Sequence, residues 1–248
     1  MQLFDLEFET TSLSLLSEKL VSAAKQRHAF TLLPTALNDI YLSTKDSNIF
    51  KKISNFTYRT PDGMPLVWLA RLAGFPQSQR IYGPELLQNI CDDGQISKLR
   101  HFFFGGQNAQ LLQSLQSNLL KKYPQLIIAG TYAPPFRPTT LTENKQIAKL
   151  IRQAHPHIIW VGLGSQKQIF WIDKWRRQFP NISFIAVGAA FDFLSGSKKQ
   201  APAWIRHLGF EWLFRFICEP RRLFVRYIAH FPATTYFYSR EIIKLAHR

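Results

Sequence analysis

Two periodicities alternate along the chain. Short apolar-rich runs recur at residues 28–33, 56–59, 99–104, 126–130, 157–163 and 182–187, the later ones almost unbroken. Runs this short and continuous predict strands buried on both faces, as in a parallel sheet. Between them, apolar residues return every three to four positions over 13–26, 65–72, 84–91, 109–122, 141–154 and 167–178, the spacing of amphipathic helices. The alternation predicts an α/β, Rossmann-like fold with a mainly parallel sheet flanked by helices. In such sheets ligands bind beyond the carboxyl ends of the strands, so the loops that follow the strands are where chemistry is expected.

From residue 203 the pattern is helical only: 203–218, then 220–230 with Pro220 at a first helical position, then a third segment after Pro232. With no Gly/Ser-rich linker before it, this stretch is expected to be an appendage (201–248) on an α/β core (1–200). The appendage changes the charge picture. The whole chain carries 31 Lys+Arg against 16 Asp+Glu, a net +15. Residues 198–248 hold ten Lys/Arg and three acids, so +7 of that charge sits in the last fifth, interleaved with eleven aromatic residues. Such a composition suits the headgroup layer of an anionic membrane surface. Single-stranded nucleic acid could take the same residues by stacking and phosphate contact, and a plain aromatic core under solvated arginines is the third reading. Nucleic acid is the partner not expected, because the charge is concentrated in one appendage.

At 46% hydrophobic and 19% charged residues, global disorder is excluded. Two cysteines, Cys91 and Cys218, make neither a disulfide framework nor a Cys-based metal site. Without about 18 consecutive apolar residues, and with an acidic N-terminus, a soluble chain that stays inside the cell is expected.

Glycines mark two strand-to-helix turns: Gly105-Gly106 after 102–104, and Gly162 and Gly164 after 160–161. They could let backbone amides approach a phosphate, or could simply make tight turns, since neither fits a phosphate-loop spacing. Asp62, in Thr60-Pro61-Asp62-Gly63-Met64-Pro65, would lie over the strand ends as a general base or would cap the next helix. Arg80 and Gly83 open the next helix, and Asp192 is a lone acid among apolar residues, either buried with partners or a substrate contact. Arg215, Arg222 and Arg226 share one face if the last helices run nearly collinear through Pro220, and are either a solvated helix face or a clamp for a diphosphate. Neither GxSxG nor DxD is present, so a hydrolase triad and a metal-held diphosphate lack sequence support.

Taken in order, Thr60–Trp68, Arg80–Leu86, Phe102–Gly106, Tyr123-Pro124, Gly130–Phe136, Trp160–Gly164 with Lys167-Gln168, Val187–Asp192, Ala201-Pro202, Gly209–Arg215 and Glu219–Arg222 resemble the WecG/TagA/CpsF family of bacterial glycosyltransferases. The resemblance implies an inverting, metal-independent enzyme without a cofactor. It would move an N-acetylmannosamine-type sugar from a UDP-sugar donor to a polyprenyl-diphosphate-sugar acceptor at the cytoplasmic membrane face. By the same resemblance Asp62 is the general base. The resemblance also puts Thr31, Arg80, Gly162, Gly164 and Gln168 on the pocket side, with Arg215 and Arg222 from the appendage; Gly83, Gly105, Gly106, Lys167, Asp192 and Arg226 complete the expected substrate contacts. A homo-oligomer is compatible with these motifs. Four segments depart from the family's usual pattern: Leu33 for Asn, Gln166-Lys167-Gln168-Ile169 for Pro-Lys-Gln-Glu, Gln200 for Arg, and Phe224-Val225 for Trp-Arg. Ile169 motivates a rival reading, a scaffold of a polysaccharide-assembly complex that binds without turning over.

Overall fold

The computed structural model describes residues 1–207, 209–224 and 231–247. In chain order its elements are β1 (Gln2–Leu3), β2 (Leu6–Glu7), α1 (Leu13–Lys25), β3 (Thr31–Thr35), α2 (Leu37–Lys45), α3 (Ser47–Ser54), β4 (Tyr58–Pro61), α4 (Met64–Leu72), α5 (Gly83–Asp93), β5 (Arg100–Gly105), α6 (Ala109–Lys122) and β6 (Ile127–Tyr132). There follow α7 (Leu141–Ala154), β7 (Ile158–Gly162), α8 (Ser165–Trp175), β8 (Ser183–Ala186), α9 (Ala190–Leu194), α10 (Ala203–His207), α11 (Glu211–Cys218), α12 (Pro220–Phe224) and α13 (Phe231–Ala246). Among the described residues the main sheet has six strands in the order β4-β3-β8-β7-β5-β6, every pairing parallel.

All six strands and all six core helices expected from periodicity are present, with ends moved by a few residues. The pleat sorts the strand residues onto two cores. Leu32, Phe103, Ile158, Trp160 and Ile185 face α1, α5, α6 and α9, while Leu33, Phe102, Phe104, Ile159, Val161 and Phe184 face α3, α4, α7 and α8. Both cysteines are free, Cys91 in the first core and Cys218 exposed.

Differences from the sequence reading include the N-terminal hairpin and the appendage. The β1–β2 hairpin turns on Phe4 and Asp5, both at positive φ, without the Asn-Gly signal such turns usually carry. The expected continuous helix 203–218 is two helices, because Gly209 sits at φ +82 in a turn between α10 and α11. Of the expected helix 220–230, α12 covers Pro220–Phe224 and residues 225–230 lie outside the described residues. The third appendage helix starts at Phe231, one residue before Pro232.

The appendage is pinned to the core at several points. Tyr238 Oη donates to Pro65 O at 3.0 Å, the Phe4 amide donates to Glu241 Oε1 at 3.0 Å, and Arg206 donates to Tyr82 Oη at 3.0 Å and also pairs with Glu85. Among the described residues no helix is long and apolar enough to cross a membrane.

Burial also sets a pH dependence. Trp160 Nε1 donates to His101 Nδ1 at 3.0 Å inside the core, and burial, then the charge of His157, pulls the His101 pKa down to about 3. Folded His101 thus stays neutral where the unfolded imidazole, near 6.5, takes a proton. Its stability contribution is full above the unfolded value and is lost as the pH falls from there toward about 3; at pH 5 the loss is about 2 kcal/mol. Thermal midpoints measured from neutral pH downward are expected to fall by several degrees by about pH 5. A flat profile would contradict the neutral buried imidazole.

Candidate active site at the carboxyl ends of the strands

Of the cavities that open beyond the carboxyl ends of the strands among the described residues, two are lined by the motif residues named above. The smaller, about 210 Å³, lies where the chain leaves β3 and β4. These strands pair in register up to Thr35 opposite Pro61, and the ladder extends one step further, with the Asp62 amide donating to Thr35 O at 3.0 Å. That bond holds the Asp62 backbone over the sheet end, and its carboxylate lines the cavity with Asn38, Met64 and Arg80. The N-cap of α4 is Gly63, so the capping alternative for Asp62 falls away.

Arg80 is fixed from three sides. The next residue is strapped to β4, with the Ile81 amide donating to Pro61 O at 3.0 Å and Thr60 Oγ1 donating to Ile81 O at 3.0 Å. The guanidinium lies 3.9 Å over the Tyr82 ring. It pairs with Glu211 of α11 at 2.7 Å and with Glu85 at 3.7 Å. Burial alone would lower its pKa, but the hydrogen bond and charge of Glu211, with Asp62 and Tyr82 behind, raise it. The appendage closes the cavity with Glu211, Trp212, Arg215 and Phe231. Arg215 also lies 5.6 Å over the Phe193 ring.

The larger cavity, about 770 Å³, sits at the β5/β7 boundary, where the following helices leave to opposite faces, α6 to one core and α8 to the other. Such a reversal opens a crevice at the sheet's carboxyl edge. The glycines make it. Gly105 is at φ +126, and a Cβ there would lie 2.5 Å from Gly162 O, the atom that accepts from the Gly106 amide at 3.0 Å. A Cβ on Gly162 would strike the Phe191 ring at 2.6 Å. Gly106, Gly162, Gly164, Lys167 and Asp192 line this cavity, with Lys174 and Lys198 beside them. Asp192 is paired with Lys198 at 3.3 Å, and Lys198 reaches Glu219 of the appendage at 2.8 Å. Gln168 lies beneath, its Oε1 accepting from the Gly188 amide at 2.9 Å and so holding the turn after β8.

Some expected residues lie elsewhere. Thr31 is at the opposite, amino-terminal end of β3, where its Oγ1 accepts from the Thr57 amide at 3.0 Å; this corrects its expected place on the cavity side. The residues in that position are Thr35 at the strand's end and Asn38 in the cavity wall, four and seven positions along. Gly83 lines neither cavity: its missing Cβ lets α5 approach Val187 O, where a Cβ would sit at 2.5 Å. Arg222 belongs to α12, and Arg226 lies outside the described residues, so the three-arginine face is described only at Arg215. Ile169 packs in the core beside Ile172 and Trp175 rather than in a cavity. Asn38, Glu211 and Trp212 were missed by the sequence reading.

The family model of the glycosyl transferase WecG/TagA/CpsF family matches residues 1–248. The chain belongs to this family. Its similar relatives include three proteins named N-acetylglucosaminyldiphosphoundecaprenol N-acetyl-beta-D-mannosaminyltransferase. That of Bacillus subtilis (strain 168) is 30% identical over 182 residues, 73% of this chain and 69% of the relative. That of Bacillus spizizenii is 29% identical over 170 residues, covering 68% and 64%, and that of Staphylococcus aureus (strain NCTC 8325 / PS 47) is 27% identical over 171 residues, covering 69% and 65%. The chain thus spans about two thirds of the length of these relatives. Among its motifs, the WecG/TagA/CpsF-like segment around Asp62 and the one opening with Arg80 meet at the smaller cavity, while the two glycine turns meet at the larger.

Proposed function

We propose that this chain is an inverting, metal-independent glycosyltransferase that moves an N-acetylmannosamine-type sugar from a UDP-sugar to a polyprenyl-diphosphate-linked sugar at an anionic membrane surface. The observation that carries the reading is the meeting of Asp62, Arg80 and the appendage's Arg215 in one cavity, on a chain of this family, beside a larger cation-lined cavity at the same sheet edge. The relatives' names supply the acceptor class and the sugar.

In this reading Asp62 takes the proton of the acceptor hydroxyl as its oxygen attacks the anomeric carbon. The bond from that carbon to the diphosphate breaks, UDP leaves, and the configuration inverts in a single displacement. The donor lies in the larger cavity, where Lys167, Lys174 and Lys198 stand near its charge and do the neutralising that a metal ion does elsewhere. The acceptor's diphosphate lies toward Arg80 and Arg215. The division into a catalytic core of 1–200 and a membrane-associating appendage of 201–248 belongs to the same proposal, supported by the +7 charge and eleven aromatics of residues 198–248.

The test is UDP release from a panel of UDP-sugars, with a short-chain polyprenyl-diphosphate-sugar, in detergent and EDTA. Acceptor-dependent release that survives EDTA is the expected result and names the donor. Release abolished by EDTA overturns the metal-independent mechanism, and none from any donor overturns the enzyme reading.

A further inference from the structure

A surface helix ordinarily turns polar residues outward. Helix α4 does not. It buries Leu66, Val67, Leu69 and Ala70, and its outward positions are Trp68, Arg71 and Leu72, with Trp68 50% and Leu72 59% exposed. Met64, Trp68 and Leu72 fall at i, i+4 and i+8, one stripe along the helix.

The stripe continues onto the appendage. A Cβ built on Gly209 would lie 3.0 Å from Met64 and 3.8 Å from the Trp68 ring, so the turn that carries exposed Phe210 rests against α4. Trp212 and Phe231, also exposed, flank the same place. Met64, Pro65, Gly209, Trp212 and Phe231 all line the smaller cavity, so the cavity that holds Asp62 lies under this apolar stripe.

We propose that the outward face of α4, a part of the α/β core, meets an anionic bilayer together with the appendage, and that the smaller cavity opens in the plane of that contact. The proposal deepens the membrane part of the function proposed above. Its occupant is a lipid surface because the apolar stripe adjoins a segment of net +7 charge, in which arginines alternate with aromatic rings. Tryptophan at the acyl boundary with arginine at the phosphates is what a headgroup layer accepts. The geometry would let a polyprenyl chain stay in the bilayer while its diphosphate-sugar enters the cavity beside Asp62.

The experiment uses the full chain and vesicles of phosphatidylcholine with phosphatidylglycerol, without donor or acceptor. Trp68→Glu and Leu72→Glu are each expected to weaken vesicle partition about 5- to 10-fold, the worth of burying half a large apolar side chain. Vesicles with brominated acyl chains are expected to quench the wild-type fluorescence more than that of Trp68→Phe, a conservative change at an exposed position that keeps the fold. Partition unchanged in both charged variants, with equal quenching of Trp68→Phe, overturns the proposal. A change in sedimentation without a change in partition would give the face to a second copy and also overturn it. Because no turnover is involved, a failed UDP-release assay overturns the enzyme reading alone.

Discussion

Asp62→Asn is expected to lower sugar transfer by about 10²- to 10⁴-fold, the usual range for removing a general base. Asparagine matches aspartate in shape and keeps the backbone bond to Thr35 O, so the turn after β4 survives. What it cannot do is accept the acceptor's proton. The loss should therefore appear in kcat, with the KM values and the thermal midpoint little changed, since Arg80 keeps its bonds to Glu211 and Glu85. The acid limb of the pH–rate profile should vanish with the carboxylate. A variant that turns over at the wild-type rate would remove Asp62 from the chemistry and leave the cavity as a binding site only.

Gly105→Ala is expected to destabilise the protein by more than about 3 kcal/mol, lowering the midpoint by roughly 10 °C in a domain of this size. Two costs add. At φ +126 any side chain is strained, and the new Cβ would sit 2.5 Å from Gly162 O, a backbone atom that cannot swing away. Because that same oxygen accepts from the Gly106 amide, relief of the clash must spread β5 from β7 and open the floor of the larger cavity. Gly164→Ala is the control. Gly164 is also at positive φ, +84, but has open space around it, so only the conformational cost of about 1–3 kcal/mol applies. Calorimetry of the two variants separates close packing from strain, and equal midpoints would refute the steric account.

The sheet was legible because strands buried on both faces have no polar alternation to blur them: Phe102–Phe104 and Ile158–Val161 are solid apolar runs. Helices α2 and α3 were not, since they are short and polar, bury few residues, and meet at Asp46, which ends one and caps the other. The hairpin was hidden by its Phe-Asp turn. At the site, the residues after strand ends were readable because the fold class says where ligands bind, so Asp62 and the glycine turns could be named from the chain. Thr31 misled because the expected strand, 28–33, set it near the carboxyl end, whereas β3 runs Thr31–Thr35 and Thr35 stands at that end, opposite Pro61. Glu211 could not be read at all. Its partner Arg80 is 131 residues away, and no local spacing encodes that meeting.

Strand β8 pairs with β3 on one side and β7 on the other, yet it is the last strand among the described residues. Without β8 that strand order falls into two unjoined pieces, β4-β3 and β7-β5-β6. One piece carries Asp62 and the other carries the glycine turns. The growing chain thus exposes two open, apolar strand edges until its final strand inserts between them, a late and long-range step of the kind that slows folding and invites aggregation. Insertion of that strand seals both edges and, in the same event, brings the two halves of the site side by side, so no fragment ending before β8 can hold both.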